Sequence, residues 1–154
     1  MSQNTCQGEV RRLEFTPQHS ELVLSLPQGI ALVTAPPPDV YEFAAAYRTA
    51  LAQPSNASSA GARSIAAAGP LLGSPDQAKI SECRVEGSRI KVRIVHTQTA
   101  SARRNIPWRP LLTLPVTFPP GRYTVEVEWQ AVDRLPDGKG IGAPILAGPV
   151  SFTL

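Results

Sequence analysis

The amino-acid sequence predicts an all-β domain built as an antiparallel β-sandwich. In residues 122–130, aromatic and valine side chains alternate with charged and polar ones, as in a strand with one buried and one exposed face. Two further alternating runs, 79–85 and 89–98, flank a turn at 86–88 that contains glycine. The 16 prolines disfavour long helices because proline lacks a backbone donor. Strands with one apolar face are typical of antiparallel sheets.

The N-terminal quarter of the chain predicts short strands separated by breaks. Residues 8–16 alternate between apolar and charged side chains and predict a first strand. Residues 20–26 carry leucine at three alternating positions and predict a second. Gly29 allows a turn before the apolar run 30–33, and three prolines at 36–38 then interrupt the pattern.

Residues 39–51 fit either a helix or a strand. As a helix, Asp39 would cap the N-terminus, Glu42 would complete a capping box, and three consecutive alanines would favour the conformation. As a strand, the aromatic residues Tyr41 and Phe43 would share one face. We expect a strand, because the neighbouring segments have β patterns and aromatic residues favour strands.

Residues 53–77 are rich in alanine, serine, glycine and proline and predict one long flexible loop. A loop of this length inside a compact domain is usually functional or disordered. Neither flank has enough pattern to fold by itself, so we predict a single domain over residues 1–154.

The second half of the chain predicts a series of strands with turn signals between them. Their expected ranges are 79–85, 89–98, 111–118, 122–131 and 147–154. If the second and fourth of these are neighbours, Glu126 and Glu128 can pair with Lys91 and Arg93. About seven strands predict a two-sheet sandwich of the immunoglobulin or fibronectin type, with at most one short helix.

Composition narrows the possible classes of function. The hydrophobic content of 42% is typical of a globular protein, and the net charge of +3 is mildly basic. Lysine and arginine are spread along the chain, so nucleic acid is not an expected partner. No apolar stretch is long enough for a membrane span, and no secretory signal is visible at the N-terminus. We expect a cytoplasmic protein, or a periplasmic or secreted one if a signal was removed.

The two cysteines, Cys6 and Cys83, allow two interpretations. They could form one bridge in an oxidising compartment. Alternatively, Cys83 shares a strand face with Val85, which predicts a buried and inert thiol. We favour the thiol.

The loop 101–110 is the best candidate for a binding site. It contains Arg103, Arg104, Trp108 and Arg109 between two predicted strands. Arginine planes and an exposed indole can hold a carboxylate, a phosphate or the acidic face of a partner. The alternative is that Trp108 packs on the end of the sandwich and the arginines are solvated.

The sequence offers no catalytic or metal site. The glycine-rich run 137–142 lacks the spacing and the Ser or Thr of a P-loop, and no nucleophile elbow occurs. In the predicted hairpin, Cys83 and His96 lie too far apart for a dyad. Two histidines and two cysteines at scattered positions do not match zinc-ligand spacing. We therefore predict no cofactor.

Two parts of the chain resemble the periplasmic copper-resistance sandwich proteins. The segment 19–29 is similar to the opening of that family, and 120–125 is similar to its last hairpin, together with Ala35-Pro36, Val40, Phe43, Asp137-Gly138 and Phe152-Thr153. The resemblance implies a sandwich fold. Lys139 stands where the second copper-binding histidine of the family belongs, so the resemblance argues against copper.

We therefore expect a non-catalytic binding or accessory module that contacts a protein partner through the 101–110 loop. The alternatives are a periplasmic or secreted metal-handling sandwich, and an enzyme whose site has no sequence signature. The sequence leaves the identity of the partner and the oligomeric state open.

Overall fold

A computed structural model describes residues 5–14, 16–17, 20–53, 63–73, 75–98, 107–135 and 137–154. Over these ranges the chain forms eight strands and two helices, which follow the order β1 (Glu9–Glu14), α1 (Ser20–Leu24), β2 (Gly29–Thr34), α2 (Val40–Leu51), β3 (Arg63–Ala68), β4 (Ala78–Glu86), β5 (Arg89–Thr97), β6 (Trp108–Pro115), β7 (Arg122–Val132) and β8 (Ile145–Thr153). The strands form two four-stranded sheets, the first in the order β1-β6-β3-β2 and the second in the order β4-β5-β7-β8. The all-β class is confirmed.

The hairpin of β4 and β5 has the predicted turn. Glu86 is paired with Arg89, and Gly87 between them has a φ of 64°, a conformation that glycine adopts without steric cost. Strands β5 and β7 are neighbours, as the charge pattern suggested, and Arg93 lies 2.9 Å from Glu128 across them.

One strand pair differs from the antiparallel prediction, because β5 and β7 run parallel. Strand β6 lies between them in sequence but belongs to the other sheet, so the chain leaves the second sheet and returns to it in the same direction. The alternation of apolar residues reports burial of one strand face and carries no information on strand direction. The second sheet is therefore mixed.

The prediction of a strand at 20–26 is wrong, because Ser20–Leu24 forms the short helix α1. Leu22 and Val23 are buried, whereas Leu24 is 61% exposed. Adjacent buried residues are incompatible with a strand that has one apolar face. Of the three alternating leucines, Leu22 and Leu26 pack in the same cluster and Leu24 does not.

The preference for a strand at 39–51 is also wrong, because Val40–Leu51 forms helix α2. The side chain of Asp39 accepts hydrogen bonds from the N–H groups of Tyr41 and Glu42, at 2.7 and 3.3 Å. This cap satisfies backbone donors that a helix start leaves without partners. Phe43 and Tyr47 are buried one helical turn apart. With two helices in the chain, the expectation of at most one short helix is wrong.

The predicted loop 53–77 contains a central strand. Strand β3 pairs with β2 on one side and β6 on the other, while residues 54–62 and 74 lie outside the described part of the chain. Ala67 belongs to the apolar cluster that both sheets share, and Ala66 and Ala68 belong to the cluster beneath the helices. Small side chains suit β3 because it is covered on both faces. Within Arg63–Ala68, the small residues that suggested flexibility therefore reflect close packing.

Strand β6 begins three residues earlier than predicted, at Trp108 in place of residue 111. Trp108 lies opposite Glu14 of β1, and Arg109 lies opposite Leu13. The last part of the predicted 101–110 loop is therefore a paired strand, and residues 101–106 lie outside the described ranges.

Cys6 and Cys83 form a disulfide, with Cα atoms 5.1 Å apart, so the interpretation of Cys83 as a free thiol is wrong. The N–H of Cys6 donates to the carbonyl of Cys83 at 3.1 Å, and Thr5 bridges to Arg84. The segment before β1 therefore lies along the outer edge of β4. A disulfide is compatible with an oxidising compartment. Neither helix of the described chain has the length and apolar character needed to cross a membrane.

Candidate binding cleft

The structure separates the predicted binding residues. Trp108 and Arg109 are consecutive residues of β6, so their side chains point to opposite faces of the first sheet. Arg103 and Arg104 lie outside the described residues. The binding role of the four residues stays a prediction. The geometry identifies a cleft on the Trp108 side as the surface to consider.

Trp108 is a fixed wall of this cleft. Its side chain is only 3% exposed, and its backbone exchanges hydrogen bonds of 2.8 and 2.9 Å with Leu72. The indole Nε1–H donates to the carbonyl of Gly73. This burial agrees with the packing alternative for Trp108 and leaves little of the indole for direct contact with a partner.

Arg12 lies over the indole of Trp108, with its guanidinium carbon 4.5 Å from the ring centroid. Its Nε also lies 3.3 Å from a carboxylate oxygen of Glu14. Arginine stacked on an aromatic face presents the N–H donors at its edge to acidic groups, here to Glu14. Sequence reasoning missed Arg12, because its approach to Trp108 depends on the pairing of β1 with β6.

The cleft between β1, β6 and the start of β4 has a volume of about 530 Å³ and is open to solvent. Arg12 and Lys79 are exposed at its rim, whereas the half-buried Arg11 places its guanidinium over the ring of Phe43 in α2, 5.7 Å from the centroid. Its other lining residues are Val10, Asp76, Gln77, Ala78, Trp108 and Leu135. Two exposed cations, Arg12 and Lys79, therefore lie at the cleft, and the one carboxylate among its described lining residues is buried.

That carboxylate belongs to Asp76, which is 0% exposed. One oxygen accepts from the N–H of Gly73 at 2.9 Å, and the other accepts from the hydroxyl of Thr97 at 3.2 Å. The N–H of Gln77 also donates to the Thr97 hydroxyl, at 2.9 Å. These bonds fix the chain before β4 against the end of β5. Asp76 therefore shapes the cleft, with both carboxylate oxygens engaged by the protein.

His96 lies beside this network and is 2% exposed. Its Nδ1 is 3.2 Å from the carbonyl of Thr97. Burial lowers the pKa of His96, an effect larger than the opposing effects of the Thr97 hydrogen bond and the Asp76 charge. The neutral imidazole is therefore favoured at neutral pH, and His96 does not add to the positive charge of the cleft.

Arg109 lies on the opposite face of the first sheet, near Tyr47 of α2. Its Nη1 donates to the carbonyl of Gly69 at 2.9 Å, and its buried Nε has no hydrogen-bond partner among the described residues. Burial lowers the pKa of Arg109, against the opposing effect of Tyr47. Arg109 therefore joins β6 to the chain after β3 and does not line the cleft.

Metal-binding geometry is not found in the described ranges, where no group of three or more His, Cys, Asp or Glu residues could hold an ion. In the comparisons with known proteins, no family model, no curated protein and no solved structure matches this chain. The chemistry of the cleft is thus inferred from its own residues.

Proposed function

We propose that this chain is a non-catalytic binding module that holds an acidic segment of a protein partner in the cleft and against the 101–110 loop. The observation that carries the proposal is the stack of Arg12 on Trp108 inside an open cleft that Lys79 also lines. An oriented guanidinium loses less conformational freedom when it binds a carboxylate than a freely rotating one.

The charges of the cleft favour an acidic partner. Lys79 is exposed, and Arg12 is exposed beside Glu14, whereas Asp76 is buried with both oxygens hydrogen-bonded within the chain. Exposed cations around a concave surface raise the rate of encounter with acidic segments and make the affinity sensitive to salt.

The order of the chain supports a contribution from the 101–110 loop. Thr97, which bonds to Asp76, precedes this loop, and Trp108 belongs to its far end. Arg103 and Arg104 are therefore only a few residues from the cleft along the chain. We propose that they add donors to the same acidic segment.

We also propose that the two sheets pack as a β-sandwich of the immunoglobulin or fibronectin type. This proposal is supported by one apolar cluster with members from both sheets, among them Ile65 and Leu112 from the first and Val92 and Trp129 from the second. The disulfide supports a periplasmic or secreted location over the cytoplasmic one expected from the visible N-terminus.

The test is capture of a partner from native lysate with the wild type and two matched variants. Lys79→Glu reverses a charge of the cleft, and Arg122→Glu makes the same change at the opposite end of the second sheet. Lys79 is paired with Val95 of β5, which is paired with Gln130 of β7. Arg122 lies eight residues before Gln130 in β7, which is roughly 26 Å at about 3.3 Å per residue. Both residues are exposed.

We expect a partner that is held by the wild type and by Arg122→Glu, lost by Lys79→Glu, and released by added salt. A third variant, Arg103→Ser with Arg104→Ser, is expected to weaken capture through the loop. Equal capture by all proteins would contradict the proposed site, since a contact elsewhere would then be responsible.

A further inference from the structure

A second concave surface lies on another side of the molecule, between the edge strands β2 and β8. It is a cavity of about 260 Å³, partly enclosed by the C-terminal end of α2. Its floor is formed by buried side chains from four strands, Ile30, Ile65, Val125 and Phe152. Among the residues that the structure describes, none that lines it is charged. A pocket of this kind is suited to an apolar group.

The cavity continues into an outer groove of about 410 Å³ along β2 and α2. Leu32, Ala50 and Gln53 line both parts and so connect them. The outer groove also contains the cation of Arg63 and the polar residues Thr34 and Thr49. The surface therefore changes from mostly apolar at its inner end, where Gln53 is the one polar side chain among the described lining residues, to cationic and polar at its outer part.

We propose that this groove binds a medium-chain alkyl carboxylate, with the alkyl chain in the cavity and the carboxylate near Arg63. The guanidinium has five N–H donors in a planar arrangement that suits carboxylate oxygens. The site is distinct from the Trp108 cleft, so it neither depends on nor supports the proposed protein partner.

The volume of the cavity limits the length of the alkyl chain. An apolar protein cavity of about 150 Å³ holds the six carbons of benzene, so a volume of 260 Å³ holds about ten carbons in proportion. With the carboxylate in the outer groove, the chain length of decanoate is the best match. Shorter chains leave the cavity partly filled, and longer chains must extend into water.

The first experiment is a calorimetric titration of the protein with hexanoate, octanoate, decanoate and tetradecanoate. Each added methylene is expected to tighten binding by about fourfold until the cavity is full. The gain is expected to stop near decanoate. Affinity that rises at the same rate up to tetradecanoate would overturn the proposed enclosed site, as would the absence of binding for the whole series.

The second experiment tests the position of the carboxylate with Arg63→Gln. This variant is expected to bind decanoate at least several-fold more weakly and to bind decanol as the wild type does, because the alcohol carries no charge. An equal loss for both ligands, or no loss for either, would overturn the assignment to Arg63.

The third experiment blocks the groove from α2 with Ala50→Phe. Ala50 is half-buried and lines both parts, whereas Ala45 of the same helix is exposed and lines neither. Ala50→Phe is expected to abolish decanoate binding, and Ala45→Phe is expected to retain it. Decanoate binding by both variants would overturn the site. The site would also be overturned if neither variant bound decanoate and both sedimented equally with phospholipid vesicles.

Discussion

Arg12 and Trp108 form a cation–π pair that joins two strands of the first sheet, with the guanidinium carbon 4.5 Å from the ring centroid. The two residues are 96 positions apart in sequence, 108 minus 12, and meet because β1 pairs with β6. Trp108 is held on its other side by Leu72 and Gly73. The indole is therefore a rigid support that orients Arg12 at the rim of the cleft.

A double-mutant cycle measures this support. We expect Arg12→Gln and Trp108→Leu to show a coupling of about 0.5–1 kcal/mol in the free energy of unfolding, the range of a cation–π pair that is partly exposed. Urea unfolding of the four proteins gives this value. Additive effects of the two substitutions would show that the stack is not energetically significant.

Reduction of the disulfide between Cys6 and Cys83 is expected to destabilise the protein strongly. The disulfide closes a loop between residues 77 positions apart, and its loss should lower the free energy of unfolding by about 2–4 kcal/mol. The measurement is urea unfolding with and without reductant. A protein with Cys6→Ser and Cys83→Ser serves as the control. Its free energy of unfolding should equal that of the reduced wild type and should not change when reductant is added. An equal free energy of unfolding for the wild type with and without reductant would refute this prediction.

The hydroxyl of Tyr47 connects α2 to two strands of the first sheet. It donates to the carbonyl of Gly29 and accepts from the N–H of Ala68, and burial raises the pKa of Tyr47 to about 12. Tyr47→Phe leaves both backbone groups without this partner, and we expect a loss of about 1–3 kcal/mol in the free energy of unfolding. Tyr41→Phe is the control, since Tyr41 is 47% exposed and should change stability little. Equal effects of the two substitutions would contradict the assigned role.

His96 predicts a dependence of stability on pH. Burial lowers its pKa in the folded protein from the ordinary value of 6.5, so the unfolded chain binds more protons between the two values. The neutral imidazole therefore makes its full contribution to the free energy of unfolding above the pKa that His96 has in the unfolded chain. This contribution is lost as the pH falls through the pKa that His96 has in the folded protein.

The corresponding measurement is urea unfolding at about pH 7.5 and about pH 5.5, where most carboxylates stay ionised. The wild type is expected to lose more stability between these conditions than His96→Gln, because the variant has no group to protonate at this position. Identical losses in the two proteins would show that His96 does not carry the effect.

The sequence predicted those strands whose two faces have different surroundings. Strands β5 and β7 alternate clearly because one face packs in the core while Lys91, Arg93 and Glu128 remain accessible on the other. This contrast also predicted the Arg93–Glu128 pair, which the structure confirms. The position of Gly87 predicted the hairpin turn for an equally local reason.

The errors occur where local pattern and tertiary setting differ. Strand β3 is covered on both faces, so Ala66 and Ala67 give no alternation and resemble a flexible loop. Helix α2 places Phe43 and Tyr47 on one face through a four-residue spacing that also fits alternate strand positions. In this case the cap at Asp39 was the more reliable signal.

The candidate site was predictable only in part. Trp108 was identified from its residue type and setting, but the companions that make the cleft, Arg12 and Lys79, come from distant strands. Their approach depends on strand pairing and on the bonds of Asp76, neither of which has a local sequence signature. Arg109 was selected by the same reasoning as Trp108, yet strand alternation directs it to the other face.

The most direct test of the binding cleft is site-specific photo-crosslinking in native lysate. A photoreactive amino acid replaces Lys79 at the cleft in one protein and Arg122 at the far end of the second sheet in another. The account predicts a crosslinked partner from position 79, none from position 122, and competition by unlabelled wild type but not by Lys79→Glu. Crosslinking from position 122 alone, equal crosslinking from both positions, or none from position 79 would contradict it.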